Sequence, residues 1–251
     1  MQVNGARKNC GSPGELKTEK LAHGLYDPRF EHDSCGFGLI ANIDDAPSHW
    51  LIETAISALA RLTHRGAVAA DGKTGDGCGL LIKFPDSFLR AVAEDLGIHV
   101  GERFGAGVVF LSQDPSLADK VKNEINKAIA DSELEVAGWR TVPVNAEVCG
   151  ELAQRTLPRI EQVFVNAPAG MQPGTFNRQL FFARRRAEKR FMEIDPTAYV
   201  ASLSSATICY KGMVLPDALP EFFTDLRDPP GRDICQLRLS PRRGKHAGFT
   251  A

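Results

Sequence analysis

Residues 32–38 read His-Asp-Ser-Cys-Gly-Phe-Gly and stand where a polar leader meets the first apolar run, Leu39-Ile40-Ala41-Asn42-Ile43. A cysteine at that junction has two main readings. It is a small buried thiol at a strand start. Or, if the chain is cut between Ser34 and Cys35, it is a nucleophile that carries its own base. In that case the freed α-amine, with a reference pKa of about 7.7 to 8.0, takes the thiol proton near neutral pH. Gly36 and Gly38 then let backbone approach a substrate closely, as a tetrahedral intermediate requires. A third reading uses the same thiol without a substrate: an accessible cysteine of lowered pKa oxidises, which would make Cys35 a redox sensor.

A second cluster lies at 62–79, LTHRGAVAADGKTGDGCG. His64 and Arg65 close the first predicted helix, where the helix dipole favours cations. The Arg65 guanidinium is equally suited to face a carboxylate or the nucleophile loop. Thr74-Gly75-Asp76-Gly77 has the composition of a phosphate cradle, but it lacks the G-x-x-x-x-G-K-[ST] pattern and leads into a strand instead of a helix. Phosphate binding is therefore not expected.

These residues need elements to hold them. FGLIANI reads as a buried strand, and after Pro47-Ser48 the residues Leu51, Ile52, Ala55, Ile56, Leu59 and Leu62 recur at helical spacing. Glycines 72, 75, 77 and 79 predict a loop before the strand LLIKF. Asp86-Ser87 can cap a helix carrying Phe88, Ala91, Val92 and Leu96, stopped by Gly97. GVVFL, ELEVAGWRTVPV and IEQVFV have strand character, and a helix with Leu117, Val121, Ile125 and Ile129 follows Pro115. Leu180, Phe181 and Arg184 to Arg186 predict a basic-faced helix, YVASLSS and ATICYKG two adjoining strands, and Pro216 a helix start before Leu219, Phe222, Phe223 and Leu226. Several strands follow one another directly, so an α+β layered sandwich is expected instead of a doubly wound sheet.

The 251 residues, 43% of them hydrophobic, are enough for a real core. Thirty basic against 31 acidic residues give a net charge of −1, with no global pull toward nucleic acid or anionic lipid. No run reaches the ~18 to 20 apolar residues of a membrane span, and residues 1–34 lack a signal-peptide core, so a cytoplasmic protein is expected. Cys10, Cys35, Cys78, Cys149, Cys209 and Cys235 are scattered, with neither a C-x-x-C pair nor zinc spacing, so no metal or disulfide framework is expected.

LYDPRFEHDSCGFGLIANI, followed by LIETAISALARLTHRGAVAADGKTGDGCGLLIKFP, resembles the start of the class II glutamine amidotransferase domain of the glutamate synthase large subunit. The similarity continues through VPVNAEVCGELAQRTLPRIEQVFV, RQLFFARRRAEK and SLSSATICYKGMVLPDALPEFFTDLRDP, covering about residues 25–229. It implies an Ntn-hydrolase-type four-layer αββα sandwich, incomplete at its C-terminal side. It further implies a leader over 1–34, a cleavage site at Ser34-Cys35, and a partial amidotransferase domain over 35–229. Cys35 would be nucleophile and, through its freed amine, base. Arg65 and Gly66, matching the family's H-R-G motif, would bind substrate or support the nucleophile. The implied partner is L-glutamine, hydrolysed to glutamate and ammonia through a glutamyl thioester. In the intact family protein the ammonia reaches a synthase domain that adds it to 2-oxoglutarate. FMN and an iron-sulfur cluster sit there, with a small NAD(P)H-oxidising subunit as a further partner; none of these cofactors is implied for this chain. Which electron donor serves, ferredoxin, NADH or NADPH, is not encoded in these residues.

After Leu226-Arg227-Asp228-Pro229 the family continues into H-x-R-F-S-T-N and H-N-G-E motifs that anchor the substrate carboxylate and form the oxyanion hole. Here GRDICQLRLSPRRGKHAGFTA follows instead, and residues 230–251 are expected to form a divergent, poorly ordered tail. The change of character after Pro230 fits a frameshift or mis-called gene end and equally a genuinely divergent short protein; in each case little glutaminase activity is expected, since one lost oxyanion donor alone costs about 2.7 to 4 kcal/mol. The alternative is a non-catalytic decayed fragment or interaction module of the same fold, in which Cys35 is a spectator.

Overall fold

A computed structural model describes residues 36–44, 48–63 and 66–227, together with the backbone of residues 246–250. Two antiparallel four-stranded sheets form the frame. The first contains β1 (Phe37–Ala41), β2 (Thr74–Lys83), β7 (Thr207–Val214) and β8 (His246–Thr250), in the spatial order β1-β8-β2-β7. The second contains β3 (Phe104–Leu111), β4 (Glu135–Thr141), β5 (Arg159–Asn166) and β6 (Tyr199–Ser204), in the order β4-β5-β3-β6. Helix α1 (His49–Ala60) packs on the first sheet; α3 (Pro115–Ala130) and α5 (Pro173–Phe191) pack on each other and on the second. This is the α+β architecture that the runs of consecutive strands predict.

The helices form for legible reasons. The Asp114 carboxylate accepts from Ser116 N at 2.8 Å, Pro115 supplies a preset φ, and Ala118, Val121, Ile125, Ala128 and Ile129 make one buried face of α3. Helix α5 likewise starts at a proline and buries Phe176, Leu180, Ala183, Ala187 and Phe191. These two faces meet Val109, Leu111, Val163 and Val165 in an outer core over the second sheet. An inner core joins Leu80, Ile82, Ile208 and Tyr210 of the first sheet to Phe104, Ala106 and Val108 of β3 and to α1 and α2 (Asp86–Asp95).

A polar bridge crosses that inner core. Arg140 of β4 reaches Asp225 at 2.5 Å and donates from Nε to Gln162 Oε1 at 2.6 Å, while Tyr210 of β7 donates to the same carboxylate at 3.1 Å. All four side chains are buried. The carboxylate and burial together hold the Tyr210 hydroxyl well above its ordinary pKa, burial being the larger cause. Both sheets are thus tied to one short 3-10 turn, Thr224–Leu226.

Four expectations change. The glycine-rich stretch before LLIKF is strand from Thr74 onward, because Gly75 and Gly79 let β2 lie directly against Val214 and Lys211 of β7. Asp86 is the first residue of α2, not its cap, and its carboxylate faces Arg90 Nε at 3.3 Å. The last helix, α6, spans only Leu219–Phe222 with Ala218 as its cap, so Pro216 lies before it. Finally, within residues 230–251, expected to be a poorly ordered tail, His246–Thr250 makes β8 and pairs antiparallel with both β1 and β2. The segment His-Ala-Gly-Phe-Thr has no strand periodicity of its own and takes strand geometry between the two edges that flank it.

Candidate functional site

Gly36 is buried and leads into β1. Register fixes what lies beside it: Phe37 is opposite Thr250, Thr250 is opposite Gly79, and Gly79 is opposite Lys211. Beyond that level, toward the start of β1, β2 presents Cys78, Gly77 and Asp76, and β7 presents Gly212, Met213 and Val214. Residues 66–76 emerge from the same sheet end at which β1 starts with Gly36 before it. Ser34, Cys35, His64 and Arg65 lie outside the described residues; of the sequence-derived site residues, Gly66 is described.

Residues 66–76 form a narrow hairpin. Val68 bridges Gly75, Ala69 N donates to Thr74 O at 2.9 Å, and Asp76 N donates to Ala67 O at 3.2 Å. At its base Gly66 lies against Asp76, where an added Cβ would come within 2.9 Å of Oδ1. A larger residue there would push the Asp76 carboxylate away, which explains the glycine in physical terms. At its tip Gly72 has φ +69, a left-handed turn, and donates to Ala69 O at 2.9 Å.

The tip is held by Asp71, a residue the sequence reading passed over. Its Oδ1 accepts from Lys73 N at 3.0 Å and Thr74 N at 2.8 Å; its Oδ2 accepts from Thr74 Oγ1 at 2.6 Å and Leu152 N at 3.2 Å. Thr74 Oγ1 in turn accepts from Ala153 N at 3.3 Å. These bonds, the Thr74 hydroxyl first, hold the Asp71 carboxyl well below the usual carboxylate range. Leu152 and Ala153 belong to the first turn of α4 (Glu151–Arg155), whose cap, Gly150, has no side chain to offer. The A-D-x-x-T spacing is the sequence signal: an aspartate three residues before a threonine, among glycines, is Asx-turn chemistry.

A cavity of about 760 Å³ opens beside this hairpin, lined by Asp76 and Cys78 of β2, Phe110 of β3, Cys149 before α4, and Lys211 and Val214 of β7. Its walls are mainly apolar, with Lys211 donating to Tyr199 OH at 3.0 Å and lying 4.1 Å from that ring's centre. Neither cavity thiol is a nucleophile. Burial pushes the Cys78 thiol up to about 12, and its Sγ contacts Val214 O at 3.3 Å; burial also raises Cys149. Cys209 is raised by burial as well. Among the described residues no group of three or more His, Cys, Asp or Glu is placed to hold a metal ion, and no helix is long and apolar enough to cross a membrane.

Residues 35–237 match the family model described as glutamine amidotransferases class-II. The chain belongs to this family. The Ntn-hydrolase fold expected for it agrees with the two antiparallel sheets flanked by helices. The chain is similar to the glutamate synthase [NADPH] large chain of Bacillus subtilis, 40% identical over 82% of this chain and 14% of that protein. It is also 39% identical to ferredoxin-dependent glutamate synthase 2 of Synechocystis over 79% of this chain and 13% of that one. Ferredoxin-dependent glutamate synthase 1 of Arabidopsis thaliana is 34% identical over 89% of this chain. The chain spans about 14% of the length of the curated relatives it matches. The described cysteines are single free thiols on separate elements, and among the described residues no cluster of possible metal ligands surrounds them.

Proposed function

We propose that this chain is the nucleophile-bearing part of a glutamate synthase amidotransferase domain, whose substrate is L-glutamine, and that it has little glutaminase activity alone because the carboxylate-anchoring and oxyanion motifs are missing after residue 229. The observation that carries the reading is that the family match begins at residue 35, the cysteine at the leader junction. Removal of residues 1–34 frees the Cys35 α-amine, which takes the thiol proton. The thiolate attacks the glutamine Cδ; the C–N bond then breaks, ammonia leaves with the proton, and a thioester remains. Water hydrolyses it to glutamate and restores the thiol. Arg65 and Gly66 support the substrate or the nucleophile, with Asp76 against Gly66 keeping the loop narrow. The synthase domain with its FMN and iron-sulfur cluster, the NAD(P)H-oxidising subunit and a cytoplasmic location are proposed for the whole protein.

The test is intact-mass and peptide-mapping analysis of the purified chain exposed to a diazoketone analogue of glutamine. Loss of residues 1–34 and one adduct on Cys35, absent in Cys35→Ala, is the expected result. An intact leader with no adduct would sink the reading. A second reading, a non-catalytic interaction module, is favoured by one observation: Phe37 and Leu39 of β1 are 81% and 62% exposed on one sheet face. Under it Cys35→Ala leaves cellular function unchanged.

A further inference from the structure

The hairpin 66–76 contains Gly66, Gly72 and Gly75, with left-handed φ at Gly72, and Gly77 just after it has φ +121. Such a segment has more conformational freedom to lose than any other sequence and holds one shape only if something fixes it. Its ladder contacts secure the base and middle. The tip is secured by partners from far along the chain, Leu152 and Ala153 in α4.

We infer that Asp71 and Thr74 are positioning residues: together they cap α4 and so clamp the 66–76 hairpin in the shape that binds glutamine. The inference rests on the function proposed above and deepens it.

Three features of the geometry converge. The first is that the cap is supplied in trans. The N–H groups of Leu152 and Ala153, unpaired within the helix by position, are taken by Asp71 Oδ2 and Thr74 Oγ1 respectively. The second is that Gly150 makes room for it: a Cβ there would overlap both Asp71 Oδ2 and Thr74 Oγ1. The third is that the clamp feeds directly into the site. Thr74 begins β2, Gly75 packs against Val214 O, and Asp76 both lines the cavity and faces Gly66, the residue after Arg65. Releasing the tip would let the strand start and the Gly66 base move together. The carboxylate also stays ionised throughout the neutral range, so the clamp does not loosen with ordinary pH changes.

The experiment compares the full chain with Asp71→Ala, Thr74→Val and Thr74→Ser. Labelling of Cys35 by the glutamine diazoketone is resolved into KI and kinact, and iodoacetamide serves as an electrophile that needs no glutamine subsite. Amide hydrogen exchange is followed in parallel. Asp71→Ala and Thr74→Val should raise KI about ten-fold, the loss of a charge-assisted bond or its relay, with kinact and the iodoacetamide rate unchanged. Thr74→Ser keeps the hydroxyl and should restore KI. Exchange at residues 73, 74, 152 and 153 should accelerate in the first two variants and not in α3.

An unchanged KI with faster exchange would reduce Asp71 to a structural cap and overturn the inference; unchanged exchange would overturn the clamp itself. If the unmodified chain takes iodoacetamide at Cys35 but never the diazoketone, the proposed function fails, and the glutamine role of Asp71 fails with it.

Discussion

The two sheets are built to different standards of closure. The second is sealed by its own chain: Val109, Leu111, Val163 and Val165 vanish beneath Phe176, Leu180, Ala183 and Phe191, all essentially unexposed. The first sheet shares an inner core with it, yet its other face carries Phe37, Leu39 and Leu81 in the open, the last 43% exposed. Leu39 and Leu81 flank the same position of β8, Gly248, and so lie on one face. The glycine-rich hairpin leads into this less closed sheet, and the cavity lies between it and the second sheet, with Cys78 and Val214 on one side and Phe110 and Ile160 on the other. Glycine-rich backbone is thus carried on a well-packed support.

The bridge between the halves gives the largest expected effect. Asp225→Ala would leave Arg140 buried without its carboxylate, and losing one partner of a buried pair costs about 3 to 5 kcal/mol. Urea unfolding followed by circular dichroism should show one transition moved to lower denaturant. A first transition that splits off, with the remainder unmoved, would mean the halves are independent and the bridge local.

A matched pair sharpens the contrast next. Leu180→Ala empties a fully buried site in the closed half and should cost about 2 to 5 kcal/mol. Leu39→Ala in the open half should change stability by no more than about 0.5 kcal/mol. Equal losses in thermal melts would show that the face bearing Leu39 is covered in solution.

Mildly alkaline pH should produce a smaller change than either buried substitution. The folded-state pKa of Cys78 is raised to about 12, so the unfolded chain ionises first. Its contribution is fully present below the unfolded value of about 8.5 and is lost as pH climbs from there toward the folded value, about 1 kcal/mol by pH 9. Tyr210, also raised, adds to the loss above its ordinary value of about 10. In Cys78→Ala the decline between about pH 8.5 and 10 should shrink to the part contributed by Cys149 and Cys209, whose thiols are also raised by burial; a decline unchanged in that variant would assign it to other groups.

Much of this was readable in advance because it is local. Pro115 marks a helix start, the apolar spacing of α3 gives its buried face, and Gly97, at φ +68, ends α2. The extension of β2 back to Thr74 was not readable, since glycines signal loops until a partner strand is known to need their lack of side chains. Nor was β8, which has strand character only between two waiting edges. Within the candidate site, Gly66 could be singled out from the H-R-G resemblance, whereas Asp71 was not legible, because its importance comes from α4, 81 residues away at Leu152.

By itself the sequence determined the cysteine at position 35, the family resemblance, the helix faces and the near-neutral charge balance, all of which depend on residue type and short spacing. Only the tertiary structure decided which strands are neighbours, that Asp71 and Thr74 cap a distant helix, that Arg140, Gln162, Tyr210 and Asp225 form one buried bridge, and that Cys78 and Cys149 are too buried to react. Those facts depend on long-range proximity and desolvation, and neither is a property of any stretch of sequence taken alone.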